Sequence, residues 1–270
     1  MVYFIPTPIG NLDDISARSL KLLAICDTLF CEDTRVTKKL LSLLSQRHNL
    51  KHNIKKFISM HSHNEQAVLE ALDKTLFEGT VAYLSDAGMP GISDPGATLV
   101  RYCQDNGLAY EVLPGANAAL LAYVTSGIAC HQFLFFGFLS HKGSERQNEL
   151  FAVLNTPYTA IVYESPHRIE KLFEELAQFA PERKIFAIKE ATKRYEKRFL
   201  ATAQELQKLS TKVNLKGEWV VVIEPEPKTE GEAINKEDIL SLDLPPKQKA
   251  KLLSKLTGLS VKEWYAKLQN

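Results

Sequence analysis

The sequence predicts an α/β protein built from two α/β domains and a small helical tail. A chain of 270 residues is long for a single hydrophobic core and favours two domains. Short apolar runs alternate with segments of helical periodicity, which is typical of a parallel, doubly wound sheet. A stretch rich in proline, glycine and glutamate then precedes a last helical segment. We therefore expect an N-terminal α/β domain at 1–116, a C-terminal α/β domain at 117–224, a linker at 225–235 and a helical tail at 236–270.

The composition indicates a globular chain and sets limits on its partners. Hydrophobic residues make up 45% of the chain, and the net charge of +1 argues against a uniformly basic coat for nucleic acid, although local basic patches remain compatible with it. The sequence has no apolar run near the roughly 18 residues of a membrane span, and its first residues carry no basic signal region. We expect a cytoplasmic protein without membrane contact. The cysteines have neither zinc nor CxxC spacing, so we expect buried free thiols and no metal at Cys26, Cys31, Cys103 and Cys130.

The most informative stretch is 81–96. Its first four residues are apolar and predict a buried strand, and the next twelve contain three glycines, two prolines and two aspartates. In an open α/β sheet, ligands bind beyond the carboxyl ends of the strands, so this composition predicts a ligand loop. Asp94 and Pro95 predict the N-cap and first residue of the next helix. A tight turn without a ligand is the alternative.

Polar loops follow the other predicted strands of the first domain. The strand at 2–5 leads to a loop whose residues could bind a substrate or only cap the next helix, and the strand at 28–31 leads to Glu32, Asp33 and Arg35. Two carboxylates and a guanidinium are costly to desolvate, so they either face a ligand or form a surface ion pair that caps a helix. Further elements are expected as strands at 57–60 and 110–113 and helices at 65–77 and 99–106.

The second domain repeats this arrangement. Its predicted strands are 133–137, 159–163, 185–188 and 219–223, and the second of them ends in an acid, a histidine and an arginine at 164–168. Ser165 and Pro166 predict the start of a helix there. The basic segment 189–198 is either a solvated hairpin or a phosphate contact.

The tail has the pattern of two short helices around a glycine turn. Gly258 predicts a C-cap, and Ser260 with Glu263 predicts a capping box at the start of the last helix. Lysines cover this segment, and both nucleic-acid binding and simple solubility explain them. No GxGxxG follows a strand and no GxxxxGK[ST] occurs, which excludes the common dinucleotide and P-loop sites.

Five ordered motifs resemble one family. They are TPIGNL at 7–12, CEDTR at 31–35, SDAGMPGISDPG at 85–96, PG at 114–115 and YESPHR at 163–168. On these motifs the chain resembles the ribosomal RNA small-subunit methyltransferase I family, of the tetrapyrrole-methylase fold class, over about residues 2–224. The tail also resembles that family's C-terminal extension.

The resemblance implies S-adenosylmethionine as methyl donor and a cytidine ribose 2′-hydroxyl in the decoding region of small-subunit ribosomal RNA as acceptor. It also implies a homodimer, a second domain with a mixed sheet, and a cofactor held between the two domains. The cofactor residues implied are Ser85, Asp86, Ala87, Gly88, Met89, Pro90, Ile92, Ser93, Asp94, Pro114, Gly115, Ala116, Asn117, Tyr163 and Trp219. The RNA side would be formed by Thr7, Pro8, Gly10, Asn11, Arg35, His167 and Arg168, and the phosphate contacts would include Lys142, Arg146, Lys189, Lys193 and Arg194.

A ribose hydroxyl is a poor nucleophile until its proton leaves, so a carboxylate near it is expected to act as general base. The candidates are Asp33, Glu164 and Asp86, in that order. Departures from the family pattern at Met89, Gly91, Ala116 and Asn117 alter the expected pocket lining and leave its aspartates intact. Two rival functions remain open: methylation of a tetrapyrrole or a modified protein side chain, and RNA binding by a non-catalytic ribosome assembly factor.

Overall fold

The computed structural model describes residues 1–128, 132–226 and 234–269. The chain divides into two compact units, one at Met1–Glu226 and the other at Pro227–Asn270. Within the described residues, no helix is long and apolar enough to cross a membrane.

The first unit begins with a five-stranded parallel sheet. Its strands are β1 (Val2–Ile5), β2 (Thr28–Cys31), β3 (Lys56–Ser59), β4 (Val81–Leu84) and β5 (Tyr110–Val112), in the order β3-β2-β4-β1-β5. The helices between them are α1 (Ala17–Ile25), α2 (Thr34–His48), α3 (Glu65–Glu70) and α4 (Gly96–Asp105). The parallel sheet predicted from the sequence is confirmed.

Helices cover both faces of this sheet. Strand residues such as Ile5 and Leu29 pack with α1 and α2, whereas Phe4 and Phe30 pack on the opposite face with α3 and α4. The chain therefore continues from the neighbouring strands β1 and β4 into helices on opposite faces of the sheet: α1 follows β1, and α4 follows β4. Such a pair of strands marks the topological switch point at which open α/β sheets bind ligands.

The second sheet is mixed, as the family resemblance implied. Its elements are α5 (Ala118–Ser126), β6 (Phe133–Phe138), α6 (Gly143–Asn155), β7 (Thr159–Glu164), α7 (Ile169–Phe179), β8 (Lys184–Lys189), β9 (Lys197–Thr202), α8 (Ala203–Ser210) and β10 (Trp219–Ile223). The order is β6-β7-β10-β8-β9, in which β6 and β7 are parallel and the other pairs are antiparallel. Helices α6, α7 and α8 pack on one face, and α5 packs on the other.

Two helix predictions were wrong in their limits. The helix expected at 65–77 ends at Glu70, and a separate 3-10 turn follows at Lys74–Glu78 because the Asp73 side chain accepts the Thr75 N–H. The helix expected to begin at Ser165 and Pro166 begins at Ile169.

The described part of the second unit contains α9 (Lys236–Ser241), α10 (Pro246–Thr257) and α11 (Val261–Gln269). They enclose a small core of Ile239, Ala250, Leu253 and Trp264. The C-cap at Gly258 has a left-handed φ of 74°, and Ser260 and Glu263 exchange the hydrogen bonds of a capping box, so both tail predictions are confirmed.

Two other predictions are only partly covered. Residues 227–233 of the expected linker lie outside the described residues, and so does Cys130. Cys26, Cys31 and Cys103 are buried free thiols, as predicted. Across residues 1–128, 132–226 and 234–269 no cluster of side chains suits a metal ion.

Candidate functional site

A cleft of about 500 Å³ lies in the first unit between the loops of the two sheets. This volume is within the range of small-molecule sites. From the first sheet it is lined by the loops after β1, β2 and β4, and from the second by the start of α5, the ends of β6 and β7 and the segments next to β8 and β10. The residues are Ile9, Glu32, Asp86, Ala87, Gly88, Met89, Ile92, Ser93, Asp94, Asn117, Ala118, Phe138, Tyr163, Glu164, Ser165, Pro166, Ala191, Glu218, Trp219 and Val220.

Hydrogen bonds join the loops after β1 and β4 at the switch point. Thr7 and Gly88 exchange backbone hydrogen bonds of 3.0 and 3.1 Å. The Thr7 hydroxyl donates to the Ser85 carbonyl, and the Ser85 hydroxyl donates to the Gly88 carbonyl. Gly88 has a φ of 83°, which favours glycine. Thr7 is buried and fully engaged in this scaffold, so its expected role as an RNA contact was wrong.

Asp94 organises the rest of the ligand loop. Its carboxylate accepts the backbone N–H groups of Gly91 and Gly96 at 2.8–3.0 Å and the Tyr83 hydroxyl at 2.9 Å. The N-cap position of α4 is occupied by Pro95, so the prediction of Asp94 as N-cap was wrong by one residue. Gly91 has a φ of 81°, which a larger side chain would adopt only with strain. The glycine that departs from the family pattern therefore suits this loop.

Three carboxylates line the same part of the cleft. Asp86 follows β4, Glu32 follows the neighbouring β2, and the Asp86 N–H donates to Glu32 at 2.9 Å. Burial raises the pKa of both Glu32 and Asp86 above the ordinary values of these carboxyls, and the nearby Asp94 carboxylate raises both further. An electronegative cleft of this kind favours a cationic ligand, and carboxyls with raised pKa are better proton acceptors. Glu32 therefore lies on the cleft wall, whereas the nearby Arg35 side chain is exposed.

Asp33 has a different role from the one first predicted. Its carboxylate caps α2 by accepting the Arg35 N–H at 2.7 Å, and it also binds the Arg35 guanidinium at 2.7 Å. The Arg35 hydrogen bonds lower the pKa of Asp33 to about 2. Asp33 does not line the cleft in the described structure, although its N–H donates to Asp86. A carboxyl with so low a pKa is a poor base, so the structure favours the surface ion pair that caps a helix.

The opposite wall of the cleft is largely apolar. The Tyr163 ring packs edge-on against Phe138, and its hydroxyl accepts the Ala119 N–H at the start of α5. Trp219 borders the cleft, but its indole packs on the other face of the sheet with Phe199 and donates to a backbone carbonyl. The cleft therefore combines an acidic side with an aromatic side.

A buried ion network lies behind this wall. Arg146 is 2% exposed and forms a bidentate pair with Glu175, with hydrogen bonds of 2.8–3.0 Å, while its Nη1 lies 3.5 Å from Glu164. The other oxygen of Glu164 accepts the Ser165 N–H and pairs with Arg168 at 2.8 Å. The expected phosphate contact of Arg146 was wrong because the residue is buried and paired. Glu164 borders the cleft, but its carboxylate is completely buried, so its prediction as general base was wrong too.

Three further expected RNA contacts have partners within the protein. Arg168 donates to the Leu139 carbonyl besides its ion pair, and the buried Lys189 donates to the Asn214 carbonyl. Lys193 bridges Glu190 and Glu218. The predicted phosphate contact was wrong for Lys189, which is buried, and it stays a prediction for Arg168 and Lys193, whose side chains are 14% and 32% exposed. Of the other expected RNA contacts, Pro8 is half-buried, and the exposed ones are Gly10, Asn11, Arg35, Lys142, His167 and Arg194.

The expected cofactor residues divide into two groups. Those that line the cleft are Asp86, Ala87, Gly88, Met89, Ile92, Ser93, Asp94, Asn117, Tyr163 and Trp219. Those that do not are Ser85, Pro90, Pro114, Gly115 and Ala116. Gly115 lies so close to Pro6 that a Cβ atom there would be 2.3 Å from the proline ring, which indicates packing between loops. Besides Glu164, nine lining residues were not predicted as cofactor contacts: Ile9, Glu32, Ala118, Phe138, Ser165, Pro166, Ala191, Glu218 and Val220. The signal available in the sequence was the position of Ile9, Glu32, Ser165 and Pro166 in polar loops at strand ends.

Known proteins share this sequence and fold. The family model "Tetrapyrrole (Corrin/Porphyrin) Methylases" matches residues 1–207. A Campylobacter fetus protein named "Ribosomal RNA small subunit methyltransferase I" is 49% identical over 99% of both chains. A Helicobacter pylori protein of the same name is 41% identical over 98% of this chain and 96% of its own.

Among solved structures, the fold is similar to that of uroporphyrin-III C-methyltransferase from Thermus thermophilus in complex with S-adenosylhomocysteine. The TM-score is 0.57 at 18% identity, over 83% of this chain and 97% of the other. The fold therefore agrees with the family model. This chain belongs to the ribosomal RNA small subunit methyltransferase I family, within the tetrapyrrole methylases.

Proposed function

We propose that the protein transfers a methyl group from S-adenosylmethionine to the ribose 2′-hydroxyl of a cytidine in the decoding region of small-subunit (16S) ribosomal RNA. The observation that carries this proposal is the cleft at the switch point, with carboxylates on one side and aromatic residues on the other. The names of the relatives support ribosomal RNA as substrate, and such an enzyme would act in the bacterial cytoplasm on the RNA or the 30S subunit.

The residues of the cleft suit S-adenosylmethionine. The carboxylates of Glu32, Asp86 and Asp94 match a ligand with a positive sulfonium and a positive amino group. The rings of Phe138 and Tyr163 offer an apolar surface for a purine. When bound, the cofactor would supply a methyl group on an electrophilic sulfonium. We propose that 86–89 and 92–94 hold it, with Asn117, Tyr163 and Trp219 on the other side.

Positioning would supply much of the catalysis, since an in-line displacement needs the acceptor oxygen about 3–3.5 Å from the methyl carbon. For the proton, we propose Asp86 as the first candidate acceptor, with Glu32 beside it. Both line the cleft and have a raised pKa, unlike Asp33. Asp86→Asn and Glu32→Gln should each lower turnover, with the larger effect at the true base, and Asp33→Asn is the matched control. Equal turnover in all three variants would contradict this assignment.

RNA contact is proposed for the cations that stay at the surface. Lys142, His167 and Arg194 are exposed, and the Arg35 side chain is 89% exposed despite its ion pair. Arg194 also lies over the Tyr195 ring, which is itself exposed and could stack on a base. We therefore propose an electrostatic RNA surface formed by these residues, which are fewer than the cations predicted from the sequence.

We further propose a homodimer. Exposed apolar side chains gather on α5 and the edge strand β6, where Leu120, Val124, Phe133 and Leu134 are 37–78% exposed. Exposed apolar groups of this kind favour an interface with another protein surface. Sedimentation should give the mass of a dimer, and Val124→Glu should shift it toward the monomer. A wild-type monomer at assay concentration would refute the dimer.

Methyl transfer is tested with labelled S-adenosylmethionine. The purified protein is incubated with unmethylated small subunits, with naked 16S RNA and with a free tetrapyrrole. We expect label in RNA in at least one of the first two and none in the third. Label in the tetrapyrrole would favour the alternative enzyme class, and cofactor-independent RNA binding without any transfer would favour an assembly factor.

A further inference from the structure

The loop after β1 and the turn after β8 are in close contact at one end of the cleft. Gly10 packs so tightly on this turn that a Cβ atom would lie 2.5 Å from the side chains of Thr192 and Lys193 and 2.8 Å from the Ala191 carbonyl oxygen. The Asn11 N–H donates to the Thr192 hydroxyl at 3.1 Å. We call this the Gly10–Thr192 contact. It joins the part of the unit that carries the first sheet to the part that carries the second.

The turn is held in an unfavourable backbone conformation. Glu190 and Thr192 have φ values of 54° and 64°, in the left-handed region, which is particularly unfavourable for a β-branched residue such as threonine. Other hydrogen bonds maintain it: the Thr192 N–H donates to Glu196 at 2.7 Å, and Lys193 pairs with Glu190. Left-handed non-glycine residues persist only where the surroundings over-determine them, and they are concentrated at functional sites.

The contact lies directly beside the cleft. Ile9 precedes Gly10 and lines the cleft, and Ala191 precedes Thr192 and lines it as well. The Gly10–Thr192 contact therefore fixes Ile9 relative to Ala191, although these two wall residues belong to the loops of different sheets. Any separation of Gly10 from Thr192 would move Ile9 away from Ala191 and widen the cleft.

We propose that Thr192 is a positioning residue that holds the two walls of the cleft together and thereby sets its affinity for the cofactor. This role falls within segment 189–198, for which the sequence left a solvated hairpin and a phosphate contact as alternatives. The inference rests on the proposed cofactor use. Thr192 acts through Ile9 and Ala191, and its hydroxyl already accepts a protein N–H.

The test compares four single variants and one double variant with the wild-type chain. Thr192→Gly removes the hydroxyl and also the backbone strain, whereas Thr192→Ser keeps the hydroxyl. Gly10→Ala inserts a methyl group into the contact. Asn49→Gly is the matched control, since Asn49 also has a left-handed φ of 54° but ends α2 away from the cleft. Affinity for S-adenosylhomocysteine is measured by calorimetry, exchange of the Asn11 amide hydrogen by NMR, and folding by thermal melting.

We expect Thr192→Gly and Gly10→Ala to bind S-adenosylhomocysteine about tenfold more weakly, the equivalent of one hydrogen bond of about 1.4 kcal/mol. Thr192→Ser and Asn49→Gly should bind like the wild type. The Asn11 amide should exchange faster in Thr192→Gly, whose melting temperature should change little because strain relief offsets the lost hydrogen bond. The Gly10→Ala/Thr192→Gly double variant should lose less affinity than the product of the two single losses, because both act on one contact.

Wild-type affinity in both Thr192→Gly and Gly10→Ala would overturn the inference, and so would a Thr192→Ser variant that binds as weakly as Thr192→Gly. If the wild-type chain itself failed to bind S-adenosylhomocysteine, the proposed function would fail, and the exchange experiment would still decide about the contact. Unchanged Asn11 exchange in Thr192→Gly would then overturn it.

Discussion

Replacement of Arg146 by methionine tests the buried ion network. Arg146 donates three hydrogen bonds to Glu175 and one to the Ser140 carbonyl, and it lies within ion-pair distance of Glu164. Methionine fills part of the same volume but carries no charge. The Glu164 carboxylate would keep one cationic partner, Arg168, and the Glu175 carboxylate would lose its buried cationic partner. Removal of one partner from a buried ion pair costs about 3–5 kcal/mol because the remaining charge is uncompensated.

This cost should be visible in thermal unfolding. For a unit of this size, 1 kcal/mol shifts the melting temperature by about 2–4 °C, so Arg146→Met should melt roughly 10 °C below the wild type. The matched control is Lys142→Ala, at an exposed position four residues earlier, for which we expect a change in stability within about 0.5 kcal/mol.

RNA binding should show the reverse: the Lys142 variant should be affected and the Arg146 variant should not. Lys142→Ala should reduce the dependence of log affinity on log salt by about one unit, as expected for one lost phosphate contact. Arg146→Met, measured below its melting temperature, should leave that slope unchanged. The reasoning would be refuted if Arg146→Met melted like the wild type and flattened the salt dependence.

Three further predictions concern the cleft and the RNA surface. S-adenosylmethionine should bind with release of protons, and its affinity should fall as the pH is lowered through the raised pKa values of Asp86 and Glu32, because a cationic ligand favours the ionised carboxylates. Calorimetry in buffers of different ionisation enthalpy checks this, and pH-independent binding without proton release would contradict it. Asp94→Ala should lower the free energy of unfolding by about 2–4 kcal/mol, since it removes the acceptor for two loop N–H groups and the Tyr83 hydroxyl, and denaturant titration would disprove the role by showing wild-type stability. Arg194→Ala should weaken RNA binding at low salt and leave cofactor binding intact, and equal RNA affinity at every salt concentration would remove Arg194 from the interface.

Much of the fold could be predicted because strand formation here depends on short apolar runs. Val2–Ile5, Thr28–Cys31, Val81–Leu84 and Trp219–Ile223 are strands at the predicted residues. The domain boundary after residue 116 stays a prediction, although α5 starts at Ala118 and packs on the second sheet.

The site was harder to predict because side-chain direction depends on the neighbouring elements. Arg146 lies at helical spacing from the buried Leu150 and Val153, a pattern that already places it on the apolar face of α6. Lys189 likewise directly follows the continuous apolar run 185–188 of β8, all of which is buried. Both residues were interpreted from charge alone. The pattern of the surrounding apolar residues was the better guide.

The role of Glu32 depends on strand order, which no local pattern determines. Because β2 and β4 are neighbours in the sheet, Glu32 and Asp86 are brought together from positions 54 residues apart. The Gly10–Thr192 contact similarly joins segments 181 residues apart at its Asn11 hydrogen bond. Only the three-dimensional structure reveals such pairs.

The most direct test of the account is the position of the transferred methyl group. RNA labelled by the protein from S-adenosylmethionine is treated with alkali, which cleaves a phosphodiester bond only beside a free ribose 2′-hydroxyl, and the labelled product is identified by mass spectrometry. We predict one alkali-resistant dinucleotide that carries the label on the ribose of a cytidine, and its loss in Asp86→Asn. Label released in a mononucleotide with the methyl group on the base, or no label in RNA despite bound cofactor, would contradict the account.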